Sequence, residues 1–164
     1  MRGGGTEYGQ RMQIAARYRW VAAWQWVFAI VLPAFVLVGR RLLGAELGWM
    51  AVIGIVVYAL PTVLALLLPP VLTRFDRQAR AAHTVRRTYA IAGFVMWGSL
   101  VLAGLSIPDS GDNGELPSVL ARWFGLSHQA STVVFSVALM AAVIAWAITL
   151  AVAVSGIALS RKPA

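Results

Sequence analysis

The sequence predicts an all-α integral membrane protein, with four transmembrane helices in an antiparallel bundle, both termini cytoplasmic, and a short amphipathic helix on the outer side. Three observations carry that expectation. Apolar residues make up 60% of the chain and charged residues 12%, against roughly 45–50% and 25% in soluble domains, which leaves too little polar surface to cover a compact soluble fold. Four apolar runs, at about 20–38, 49–68, 88–107 and 130–159, are each long enough to cross the hydrocarbon core as a helix. The basic residues then divide by side. Eleven (Arg2, Arg11, Arg17, Arg19, Arg74, Arg77, Arg80, Arg86, Arg87, Arg161 and Lys162) lie inside and three (Arg40, Arg41 and Arg122) outside, the bias that keeps cationic loops on the cytoplasmic face.

Residues 1–19 read as a basic cytoplasmic segment, with Gly3, Gly4 and Gly5 loosening its start. The first apolar run is longer than a signal-peptide core and ends in Val38-Gly39-Arg40-Arg41 without a small-x-small cleavage site, so it is expected to stay as an uncleaved span. Trp20, Trp24 and Trp26 cluster near its start, where aromatic rings favour the membrane interface. Pro33 removes a backbone donor and predicts a kink of the kind membrane helices tolerate. The connector 39–48 is short enough to make the first two helices neighbours, and Gly44 and Gly48 in it read as turn residues.

The second span contains Pro61 and is expected to end at Pro69-Pro70, since two prolines interrupt the helical hydrogen-bond ladder. The segment that follows is the one strongly basic stretch between apolar runs. In it Arg77, Arg80, Thr84 and Arg87 are spaced to share one face of a cytoplasmic helix leading into the third span. Arg77, Arg80 and Arg87 are therefore candidate contacts for anionic lipid or an acidic partner. The third span carries Gly93, Gly98, Ser99, Ala103 and Gly104, small residues that let helix backbones approach.

The outer segment 108–129 opens on an acidic, turn-rich stretch, Asp109 to Glu115. It continues with Leu116, Val119, Leu120, Trp123 and Phe124 at helical spacing, with Pro117 at the helix start and Gly125 at its end. A short helix on the outer surface follows. The last span, at about 45 Å as a straight helix, exceeds the hydrocarbon core and must tilt or project. Two rows of small residues run along it, Ala141, Ala145, Thr149 and Ala153, and Ala147, Ala151 and Ser155, both suited to close helix packing. Residues 160–164 form a cytoplasmic tail.

Chemistry is sparse. The four runs contain no Asp, Glu, Lys, Arg or His, which argues against proton relays and helix-bound haem. Asp109, Asp112, Glu115 and His128 are the one set that could gather round a divalent cation, but their spacing matches no EF-hand and a turn-rich loop is expected instead. His83 and His128 fall on opposite sides. No nucleophile, phosphate-loop or paired-carboxylate motif is present, and the chain has no Cys. The net charge of +8 sits at the ends of apolar runs, so no nucleic-acid partner is expected. No catalytic residue, cofactor or metal is assigned.

Thirteen of the fourteen basic residues are Arg, and Ala, Val and Gly are abundant, a composition of GC-rich coding that points to a bacterial cytoplasmic (inner) membrane. The expected partners are the lipid bilayer and other integral membrane subunits, or further copies of the chain. The expected role is a non-catalytic subunit that packs against other helices in a larger membrane complex. The alternative is a small oligomeric transporter or channel, with Gln25, Thr62 and Ser99 supplying polar contacts near Pro33 and Pro61. An enzyme acting on lipid headgroups would lack an acid, base or nucleophile within the spans.

Overall fold

The computed structural model describes residues 18–77, 81, 83–112 and 114–160. It contains four helices long and apolar enough to cross a membrane: α1 (Arg19–Leu37), α2 (Trp49–Thr73), α3 (Arg87–Ser106) and α5 (His128–Ser160). Each matches an apolar run because a continuous stretch of such residues can satisfy its backbone in lipid only by bonding to itself as a helix. Between α3 and α5 lie two short strands, β1 (Asp109–Gly111) and β2 (Gly114–Leu116), and a short helix, α4 (Val119–Phe124).

The spans close a ring in which α1 packs on α2 and α3, and α5 packs on the same two. The α3–α5 face is the most extensive, and both helices bury small residues. Ala90, Gly93, Ala103 and Gly104 of α3 are buried, as are Ala138, Ala142, Ala145, Thr149 and Ala153 of α5. Contacts give the directions. Gln25, early in α1, meets Tyr89, early in α3, while Phe35 and Val36 meet Gly104 near the ends of the same two helices. Arg74, after α2, meets Trp26, early in α1, and Gly156, late in α5, meets Arg86, just before α3. Thus α1 and α3 run one way and α2 and α5 the other, which gives the molecule a basic end, with Arg19, Arg74 and Arg86, and an opposite hairpin end.

Two expectations about elements are corrected. The double proline does not end the second span, because α2 runs through Pro69 and Pro70 to Thr73. Pro69 has no N–H for the carbonyl of Ala65, and the indole Nε1 of Trp146 on α5 donates to that oxygen instead, at 2.8 Å. One turn on, the hydroxyl of Thr73 donates to the Pro70 carbonyl at 2.7 Å. Earlier in the same helix, residues Gly54–Tyr58 form a π turn; its wider i→i+5 bonding suits a stretch in which Pro61 offers no N–H to Val57.

The second correction concerns the outer stretch, which is not wholly helix and loop. β1 and β2 pair antiparallel with Ser110 opposite Glu115, so a small hairpin is added to an otherwise helical chain. The short helix itself lies where the apolar spacing placed it. Ser118 caps its start by accepting from the Ala121 N–H at 3.1 Å, and Gly125 ends it at φ 68°. Val119 is buried beneath it, while Trp123 and Phe124 are exposed as an edge-to-face pair.

Candidate functional site

Each end of the bundle carries an Asp–Arg pair built on a buried carboxylate. At the hairpin end, Arg40, in the 3₁₀ turn Gly39–Leu43 after α1, pairs with Asp109 at the start of β1, and both are almost fully buried. Asp109 also accepts from the backbone N–H groups of Gly48 and Met50, each at 2.9 Å, and of Ser110 at 2.8 Å. Burial pushes its carboxyl up, but those three N–H groups and the Arg40 guanidinium outweigh burial and hold it below the usual carboxylate range. Gly48 is required for this approach, because a Cβ there would lie 2.2 Å from the Ser110 carbonyl oxygen. Two further pairs lie at this end: Arg122 with Glu46 at 2.7 Å and His128 with Glu115 at 3.3 Å. Asp112 accepts from the Trp49 indole at 3.0 Å.

Those pairings separate the four residues considered for a cation. Asp109, Asp112 and the Glu115–His128 pair each have different partners, and among the described residues no three acidic, His or Cys side chains gather in a metal-holding group.

At the basic end, Asp76 is buried and accepts from Arg86 Nε at 3.0 Å. Gly156 of α5 lies directly against this pair. Beside it a cleft of about 400 Å³ opens between the start of α1, the end of α2 and the bend before α3. Arg19, Arg74 and His83 reach it from those three elements, with Trp26 and Thr84 in its wall. The Arg74 guanidinium lies over the Trp26 ring, 4.7 Å from its centroid, a cation–π contact that orders an otherwise flexible side chain. Gln25, at the cleft floor, is buried with both ends engaged. Its amide donates to the Ala22 carbonyl at 3.1 Å and its carbonyl accepts from the Tyr89 hydroxyl at 2.8 Å.

The residues singled out from the sequence distribute unevenly. Arg77 and Arg87 are exposed at the basic end, and Arg80 lies outside the described residues. A single helical face from Arg77 to Arg87 is corrected: residues 83–86 form a turn and bend, with His83 at φ 49°, and α3 starts afresh at Arg87. The two small rows of α5 also part company. Ala145, Thr149 and Ala153 are buried in the bundle and Ala141 is half-buried, whereas Ala147, Ala151 and Ser155 are exposed. Gln25, Thr62 and Ser99 do not converge on one lumen. Gln25 is tied to Tyr89, Thr62 lines an apolar surface groove beside Trp146, and Ser99 belongs to neither cavity.

Sequence reasoning missed the cleft and both Asp–Arg pairs. Arg74 and Trp26 are far apart in the chain, and no periodicity joins them. A lone Asp at each basic or apolar boundary was the available signal, since an acid beside a membrane span usually has a partner.

Comparison with protein-family models, curated proteins and solved structures finds no match. The class rests on the architecture: a mostly helical chain whose four long apolar helices fit a multi-pass membrane bundle.

Proposed function

We propose that this chain is a non-catalytic subunit of a larger complex in a bacterial cytoplasmic membrane, with both termini inside, and that it packs against helices of another subunit or of a second copy. The observation that supports this reading is the division of the α5 rows. One row is turned into the chain's own bundle, while Ala147, Ala151 and Ser155 present a second small-residue surface outward. In lipid no hydrophobic force draws apolar helices together, so close backbone packing along such rows is a main source of association. The second span adds open apolar surface, being the least buried of the four. The carrier alternative has less support, because its polar residues line no common path.

Ala147→Leu with Ala151→Leu tests the reading. In mild detergent, native mass spectrometry of the wild type is expected to show a stoichiometric partner or a second copy. The double variant should lose it while keeping its own melting temperature, since neither side chain faces the bundle. Unchanged composition in the variant would show that the row faces lipid, and the subunit reading would then fail.

A further inference from the structure

Packing against a partner makes no use of the cleft at the basic end. Two arginines and a histidine converge there from three separate elements, and among the described residues no acidic side chain lines it. Asp76, the nearby acid, is engaged by Arg86. Like charges brought together without a counter-ion repel, so the arrangement is stable only with an anion or well-hydrated. Two details show a built wall in place of a loose rim. Arg74 is held on the Trp26 ring, and His83 is the only non-glycine residue at positive φ among the described residues. Such backbone strain persists where surrounding structure enforces it, often at ligand clamps.

The position identifies the anion's source. Arg19 is the first residue of α1 and Thr73 the last of α2, so the cleft lies level with the ends of two spans, where lipid headgroups sit. We propose that the cleft binds the phosphate of an anionic membrane lipid, with Arg19 and Arg74 as its principal cations and the imidazole of His83 as a further N–H donor. A guanidinium presents a planar fork that matches phosphate oxygens. Free phosphate shares this chemistry but lacks the acyl chains that would hold it at this depth.

The test uses the full chain in phosphatidylcholine nanodiscs titrated with phosphatidylglycerol, bound lipid being read by native mass spectrometry. A hydrogen bond to a charged group is worth at least about tenfold in affinity, so R19Q/R74Q should bind about 100-fold more weakly. R77Q/R87Q removes equal charge from the same end but outside the cleft, so it loses only the diffuse surface attraction, at most about fivefold per residue, and is expected to fall clearly less than R19Q/R74Q. Undiminished binding in R19Q/R74Q, or an equal loss in both variants, would overturn the proposal in favour of diffuse surface charge. Arg19 and Arg74 are exposed, and circular dichroism of each variant checks the fold. The single variants R19Q and R74Q, each expected to lose about tenfold, carry the test if the double one misfolds. Inorganic phosphate at matching concentration should fail to displace the lipid; displacement would assign the cleft to the free ion and overturn the lipid assignment.

Discussion

Trp146 of α5 donates its indole N–H to the carbonyl of Ala65, the group that Pro69 leaves without an intrahelical donor. One contact thus bridges two spans and carries α2 through a double proline. Trp146→Phe keeps the ring's bulk but leaves that oxygen unpaired among apolar neighbours, and is expected to cost about 1–2 kcal/mol, read as a lower melting temperature in detergent. Pro69→Ala returns an N–H to the helix. In the P69A background, Trp146→Phe should therefore cost much less, and an equal cost in both backgrounds would sink this account.

The Arg40–Asp109 pair predicts a specific pH dependence. Because the carboxyl of folded Asp109 is held below its ordinary value, its stabilisation is complete above the unfolded pKa near ~4. It is lost as pH falls through the lower folded value. The melting temperature of the wild type should thus fall below about pH 4, and Asp109→Asn should be less stable at neutral pH with a shallower fall in that acid window. Arg40→Met leaves the carboxylate buried without its partner, at about 3–5 kcal/mol. The R40M/D109N double variant should recover part of that loss.

A methyl group at Gly156 would lie 2.3 Å from Asp76 Oδ2. Gly156→Ala must therefore push α5 away from the Asp76–Arg86 pair or break it, and is expected to lower stability by about 1–3 kcal/mol. Gly98, where a Cβ meets nothing within 4 Å, provides the control. Gly98→Ala should be neutral or stabilising by up to about 1 kcal/mol, as alanine favours the helix. Similar losses at both sites would show that the basic end is not closely packed.

Orientation is open to a direct chemical test in a chain without cysteine. If the proposed orientation holds, a cysteine at Ser110, in β1 at the hairpin end, should react with an impermeant maleimide on intact cells. One at Thr84, at the basic end, should react only after lysis. The opposite pattern would reverse the proposed topology.

The four spans were legible because length and apolarity are properties of consecutive residues. The expected starts and ends lie within two residues of the observed helices everywhere but at the end of α2. The short helix α4 was legible for the same reason, its apolar spacing and Gly125 being local signals. The end of α2 was misread because the partner that makes Pro69 tolerable, Trp146, is remote in sequence.

The candidate site was less legible than the fold. Basic charge near residues 74–87 was evident, yet a continuous helical face was assumed where the backbone turns at His83. Arg74 consequently faces Trp26 and the cleft, and Arg87 begins a separate helix. The two small-residue rows of α5 looked equivalent in the sequence. Only packing against α3 and α2 decided that Ala145, Thr149 and Ala153 are inside and Ala147, Ala151 and Ser155 outside.

By itself, then, the sequence determined a chain of four long apolar helices with basic ends, because hydrophobicity and backbone satisfaction act on contiguous stretches. Tertiary structure decided which Asp meets which Arg, which carbonyl Trp146 rescues, and which cations share a cleft. Those contacts join residues far apart along the chain, and their energies depend on distances and burial that exist only once the helices have packed.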